Sequence, residues 1–198
     1  MNETVQPEKR GGLFSALLSA WPTVVLSPRE FFRSSIVPGE QAPGLLFAMG
    51  VVLVSETLRL LLEGNPLPAL GGYPVLSAIL WISAAVLFLT PAALHLIAAL
   101  QTVFLIPVAA DRGGVSETVQ LLGYSAAPCV LAGVPVPEVR VLAGGYSFVL
   151  LLIGLSEVHG ISFERSLLVG IVPASLAFGY GFRTFDALTT LLARWYII

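Results

Sequence analysis

The chain has 198 residues, 56% of them hydrophobic and only 11% charged, with a mean hydropathy of +0.89 and a formal net charge of −2. Soluble domains carry about 25% charged residues, and a water-soluble fold of this size has no means of hiding so much apolar surface. Lipid is therefore the expected solvent, and the near-neutral charge gives no case for a nucleic-acid partner. The single cysteine, Cys129, excludes an internal disulfide and a multi-cysteine metal cluster, and no cofactor motif is present.

The N-terminus does not read as a signal peptide. Glu3 and Glu8 dilute Lys9 and Arg10, and the apolar run that follows meets Pro22 without a small-residue cleavage pattern. Residues 1–10 are expected to be a disordered cytoplasmic tail. Residues 11–41 read as interfacial amphipathic helices. Leu13, Phe14, Leu17, Leu18 and Trp21 repeat with helical spacing. In "LSPREFFRS" Ser27 and Glu30 form a capping box, and Pro28 occupies the first helical position. Phe31 and Phe32 offer this second helix an oily side, and Arg29 and Arg33, one turn apart, a cationic one. These four are the candidate interfacial contacts, with a packing strap as the bland alternative.

A bilayer core about 30 Å thick needs roughly 17–25 apolar helical residues. Residues 45–62, 118–134, 139–156 and 166–182 have that length. The stretch 75–108 would make about 51 Å of helix, so it tilts and projects or kinks at Pro91, with Thr90 satisfying backbone that the proline frees. One long kinked helix is expected there, with a broken double pass as the alternative. The fold class that follows is an all-α integral membrane protein, a bundle of five transmembrane helices preceded by short interfacial helices. Five passes with the N-terminus inside put Lys9, Arg10, Arg29, Arg33, Arg112 and Arg165 on the cytoplasmic side. Arg140, Arg183 and Arg194 then lie outside, with the C-terminus. The end of the chain, 185–198, either continues the last span or lies along the outer interface, with Phe185, Leu188, Leu192 and Trp195 on one side.

The order of three stretches resembles the Yip1 family of multi-pass membrane proteins. They are "SPREFFRSSIVPGEQAPGLLFA", "DRGGVSETVQLLGYSAAPCVLAGVP" and "LLLIGLSEVHGISFERSLLVGIVP", together covering roughly 24–180, and 42–184 is the transmembrane domain so defined. The resemblance implies a five-helix bundle with a cytoplasmic N-terminus. It also implies a non-enzymatic role in organising membrane or recruiting a partner; eukaryotic members are associated with vesicle trafficking and Rab-type GTPase binding. One lysine against nine arginines suggests a GC-rich prokaryotic genome, hence a prokaryotic cell membrane.

Five polar residues stand out as functional candidates. Glu56 and Arg59 share a helix face within a span and read as an ion pair or part of a polar pathway. His95, past Pro91, is the deepest ionisable residue, either a proton relay or a hydrogen-bonding neighbour of Tyr124 or Gln101. Glu157 and His159 in "GLSEVHGIS" lie between two glycines, as a turn between spans or a titratable contact on the cytoplasmic face. The loop "DRGGVSETVQ" lacks a phosphate-loop lysine, and Ser116 reads as the cap of the next helix. No nucleophile–base–orienter set appears, so enzymatic activity is not expected. The rival to the recruiting role is a small permease, channel or lipid-translocating protein with a polar path near Glu56 and His95. Small residues four apart in the last span (Gly170 and Ala174, Ser175 and Gly179) suit bundle packing or a homo-oligomer seam. Deleting residues 11–35 is expected to abolish partner or lipid association while the bundle remains folded.

Overall fold

A computed structural model describes residues 13–63, 70–110 and 112–197, with the backbone alone at 13–17. The expected tail 1–10 and the side chains of Leu13, Phe14 and Leu17 lie outside the described residues. Everything described in a regular element is helical. In chain order these are α1 (Leu13–Leu26), α2 (Pro28–Ser35), α3 (Ala42–Glu63), α4 (Pro74–Ala84), a π-helical turn Ala85–Leu89, α5 (Thr90–Leu105) and α6 (Val115–Ser125). A 3-10 segment Ala127–Gly133, α7 (Pro137–His159), α8 (Phe163–Ala174), a second π-turn Ser175–Tyr180 and α9 (Thr184–Arg194) complete it.

Three helices among the described residues are long and apolar enough to cross a bilayer: Ala42–Glu63, Pro74–Leu105 and Pro137–His159. A fourth crossing exists only if Phe163–Tyr180 and Thr184–Arg194, bent by 77°, are taken together. By length and composition the described helices thus give three or four spans, not clearly the expected five. The missing one is 118–134, where the α-helix stops at Ser125, because Pro128 disfavours helical backbone at the residue before it, and a 3-10 segment takes over. The α6 and 3-10 pieces nevertheless add up to about 30 Å of rise. They run beside α3 from one end to the other. Gln120 bonds backbone of Val37 and Glu40 just ahead of α3, and Arg140 donates to the Ala132 carbonyl (2.8 Å) while pairing with Glu63, the last residue of α3.

Three glycines make that contact possible. A Cβ at Gly44 or Gly123 would overlap backbone of the facing helix, and one at Gly133 would overlap the Ser55 carbonyl. Where hydrocarbon surrounds the protein there is no hydrophobic drive between helices, so close backbone approach of this kind carries the association. Residues 118–129 are all buried.

The stretch 74–105 is one helix rather than two passes. Pro91 cannot donate to an earlier carbonyl, and the register shift of the π-turn answers the loss. Thr90 donates to the Ala85 carbonyl through both its backbone N–H and its hydroxyl, the latter at 2.7 Å. Its apolar residues mostly face outward, among them Leu76, Ile79, Leu80, Leu87, Phe88 and Leu89.

The α1–α2 pair does not rest only on the polar end of the bundle. The Tyr146 hydroxyl donates to the Val25 carbonyl at the tip of α1. Tyr146 lies thirteen residues before the end of α7, about 20 Å along its axis. From there α2 returns beside α7, with Phe32 against Gly154 and Arg33 at Glu157. The hairpin thus reaches well down the side of the bundle. Ser27 stands at the N-cap of α2 and Pro28 at its first position, but the serine side chain makes no capping bond.

At the other end of the chain, Arg183 adopts left-handed backbone (φ 59°) where α9 turns off. The residues α9 buries are Ala187 and Leu191, not the expected line of Phe185, Leu188, Leu192 and Trp195. Thr184 packs on Gly144 of α7, and small side chains let α9 lie close there. Arg194 pairs with Glu138 at 2.7 Å and holds the far end of α9 to the start of α7.

Candidate functional site

The polar groups gather at the end of the bundle where α2, the link 36–41, residues 106–110 and 112–114 and the turn 160–162 meet. The turn is dictated locally. The last residue of α7 is His159, and Gly160 takes the left-handed conformation (φ 63°) that ends helices cheaply only at glycine. Ser156 donates to the Ile161 carbonyl (2.8 Å), and the Ser162 hydroxyl accepts from the Arg165 N–H (3.4 Å) to cap α8.

Two side chains of α6 hold the link. Gln120 accepts from the Val37 N–H (3.1 Å) and donates to the carbonyls of Val37 (2.7 Å) and Glu40. Glu117, in the first turn of α6, accepts from the Gly39 N–H (3.2 Å). A carboxylate there also suits the positive end of the helix dipole. Gly114, not Ser116, stands at the N-cap, because the helix begins one residue earlier than its serine. Neither Gln120 nor Glu117 was a candidate from sequence. The signal available for Gln120 was a lone amide in the apolar run "VQLLG".

Arg33 donates to Glu157 through Nε (3.2 Å) and Nη2 (2.7 Å), tying α2 to α7. With its side chain 72% exposed, Arg33 contributes little stability through this pair. Phe31 and Phe32 do more. Both are buried, and Phe31 stacks edge-on with Tyr124 at 4.8 Å between ring centres. Tyr124 meets Phe47 (5.1 Å), and Phe47 meets Trp21 of α1 (5.2 Å). The oily side of α2 is therefore spent on protein rather than offered to a leaflet. Deleting residues 11–35 would take Val24, Phe31 and Phe32 out of the core, which weighs against the expectation that the bundle is spared. Arg29 remains exposed, as do Arg112 and Arg165 on the neighbouring segments.

His159 and Glu157 diverge from the same helix end. His159 is buried, and its Nδ1 accepts from the Gly113 N–H (3.2 Å), so the neutral ring carries its proton on Nε2. That Nε2 has no hydrogen-bond partner among the described residues.

The intramembrane candidates fall apart from one another. Glu56 and Arg59 form an ion pair within α3, with Arg59 buried. Glu56 faces a cavity between α3, α5, α6 and the second π-turn. His95 is not in its wall. The histidine Nδ1 donates to the Pro91 carbonyl (2.7 Å), and Nε2 lies 3.1 Å from the side-chain amide of Gln41. Neither expected neighbour is its partner, since Gln101 donates instead to the Val169 carbonyl (3.1 Å) on α8. Glu56 and His95 thus do not share one cavity wall. Cys129 is buried beside the Ser147 hydroxyl (3.2 Å), and no group of His, Cys, Asp and Glu among the described residues is arranged to hold a metal.

These observations define a class, an all-helical integral membrane protein whose polar side chains bind one end of the bundle to its own N-terminal segment. The Yip1 domain model matches residues 23–182, and the chain belongs to the Yip1 family. That span includes α2, the link, α6 and the 160–162 turn, all the elements of the polar end. Searches of curated proteins and of solved structures found no match.

Proposed function

We propose that this protein is a non-enzymatic, five-pass member of its family that organises membrane or recruits a partner through the polar end of the bundle, on the cytoplasmic side. The supporting observation is the construction of that end. Gln120 and Glu117 fix the link 36–41 while Arg29, Arg112 and Arg165 stay exposed around it. Exposed cations beside a backbone held in place by Gln120 and Glu117 suit an anionic patch on a protein or a leaflet.

The fifth pass in this reading is α6 with its 3-10 extension. Its rise of about 30 Å matches the hydrocarbon core, and α3, lying alongside, covers the backbone groups that a 3-10 segment satisfies poorly. Arg112 and Val136, at the two ends of this segment, then lie on opposite sides of the membrane. The composition of one lysine and nine arginines supports a prokaryotic cell membrane as its setting.

Affinity purification in lipid nanodiscs tests the role, comparing the full chain with a variant carrying Arg29→Glu, Arg112→Glu and Arg165→Glu. Proteins or anionic lipids that co-purify with the native chain are expected to be lost from the variant. An identical set from both would sink the reading. Cysteines introduced one at a time at Arg112 and Val136 in a Cys129→Ala background, labelled with a membrane-impermeant maleimide in sealed vesicles, test the topology; labelling of both from one side would remove the fifth pass.

A further inference from the structure

The cavity beside Glu56 has a volume of about 180 Å³. On α3 its wall is the stripe Ala48, Val52 and Glu56, one residue per turn over eight residues, which is about 12 Å of helix. Volume over length leaves a bore about one hydrocarbon chain wide. Apart from Glu56 and Thr90 the wall is made of apolar residues and glycine. Glu56 is occupied by Arg59 and the Thr90 hydroxyl by the Ala85 carbonyl, so a solute with polar groups meets few partners inside.

Two features explain why the space exists. Both π-turns among the described residues border it, Ala85 and Leu89 from the first, Leu176 and Phe178 from the second. A π-turn carries an extra residue and bulges its helix, and such turns recur at functional sites. Here two bulges face one space, which lies between α3, α5, α6 and the end of α8. The mouth is lateral. Leu89, Leu176 and Gly181, all in the wall, are also exposed on the lipid-facing surface. An apolar void is not kept open by water, and unfilled space costs its lining the lost contacts.

We propose that this bore is a binding site for one acyl chain of a bilayer lipid, which enters sideways between Leu89 and Leu176 and ends against the Glu56–Arg59 pair. The site goes beyond the recruiting role and does not depend on it. It lies within the spans, away from the polar end, and would hold its lipid whichever partner the protein recruits.

The test uses the full chain reconstituted in liposomes with a trace of phosphatidylcholine bearing a diazirine on one acyl chain. After illumination, adducts are mapped by peptide mass spectrometry. Leu122 and Phe178 line the bore and are buried, at 1% and 2% exposure, so the surrounding lipid does not reach them. Leu96 and Leu168 are exposed and stand outside it. Adducts on Leu122 and Phe178, beside the ordinary ones on Leu96 and Leu168, are the expected result. Adducts confined to the outer positions would overturn the proposal.

Filling the bore gives the second reading. Ala93→Phe and Ala177→Phe each place a ring in the cavity from a half-buried wall position. Each is expected to reduce the inner adducts several-fold and leave the outer ones unchanged. Inner adducts that persist in a variant shown to be folded by circular dichroism would also overturn it. If neither variant folds, the map on the native chain still decides.

Discussion

Two apolar stretches of this chain face opposite ways. Residues 118–129 (TVQLLGYSAAPC) are wholly buried, while along 74–89 only Ser77, Ala78 and Val86 are buried. The difference does not follow hydrophobicity; the buried stretch is the more polar of the two. In hydrocarbon, large apolar side chains gain nothing by turning inward, whereas small residues permit backbone contact and polar ones need partners. Even in the outward-facing helix the buried positions include a serine and an alanine. Ser77 donates to the Tyr73 carbonyl (2.6 Å) and accepts from the Leu70 N–H (2.7 Å).

The most severe way to break this contrast is Gly123→Leu. The added side chain would drive into the Gly44 carbonyl of α3, and because backbone cannot move aside the loss should exceed about 3 kcal/mol. Loss of the monodisperse folded protein in detergent, or a collapse of its thermal midpoint, is the expected readout; a native-like midpoint would mean that α3 and α6 are not packed as described. Next in size is Gln120→Leu, which keeps the volume but leaves the Val37 and Glu40 backbone groups unpaired. Their exposure lets water or headgroups replace part of the loss, so about 1–2 kcal/mol is expected. Faster amide exchange at Val37 than in the native chain would locate the effect. The smallest change belongs to the other stretch. Leu80→Ala, on the lipid-facing side, should shift stability by no more than about 0.5 kcal/mol. A large drop there would show that another protein surface, not lipid, covers this face.

Much of the architecture was legible because its causes are local. The helix ends at Gly160 and Ser162, the proline-led start of α2, the rescue of Pro91 by Thr90 and the spans 45–62 and 139–156 all follow from one or two residues and a length. The Glu56–Arg59 pair was readable for the same reason, since its partners are three apart on one helix. What failed depended on contacts between distant segments. Phe31 and Phe32 look like a membrane-facing side until Tyr124 and Gly154 are brought against them. Glu157 gains its meaning from Arg33, and Gln120 from the link 36–41, each across roughly half the chain or more. His95 was assigned neighbours by depth alone, and its actual contact, Gln41, comes from a segment ahead of α3.

The sequence by itself determined that this is a helical membrane protein, where α2 begins and where the turn at Gly160 and Ser162 falls, and the family to which it belongs. Hydropathy, proline and glycine act over a few residues and need no partner to be read. Only the tertiary structure decided which apolar face meets protein and which meets lipid. It also decided that the N-terminal hairpin is part of the core, and that two π-turns leave a chain-wide space beside Glu56. In a bilayer both faces of a helix can be oily, so composition alone does not separate them; the close approach of one backbone to another does.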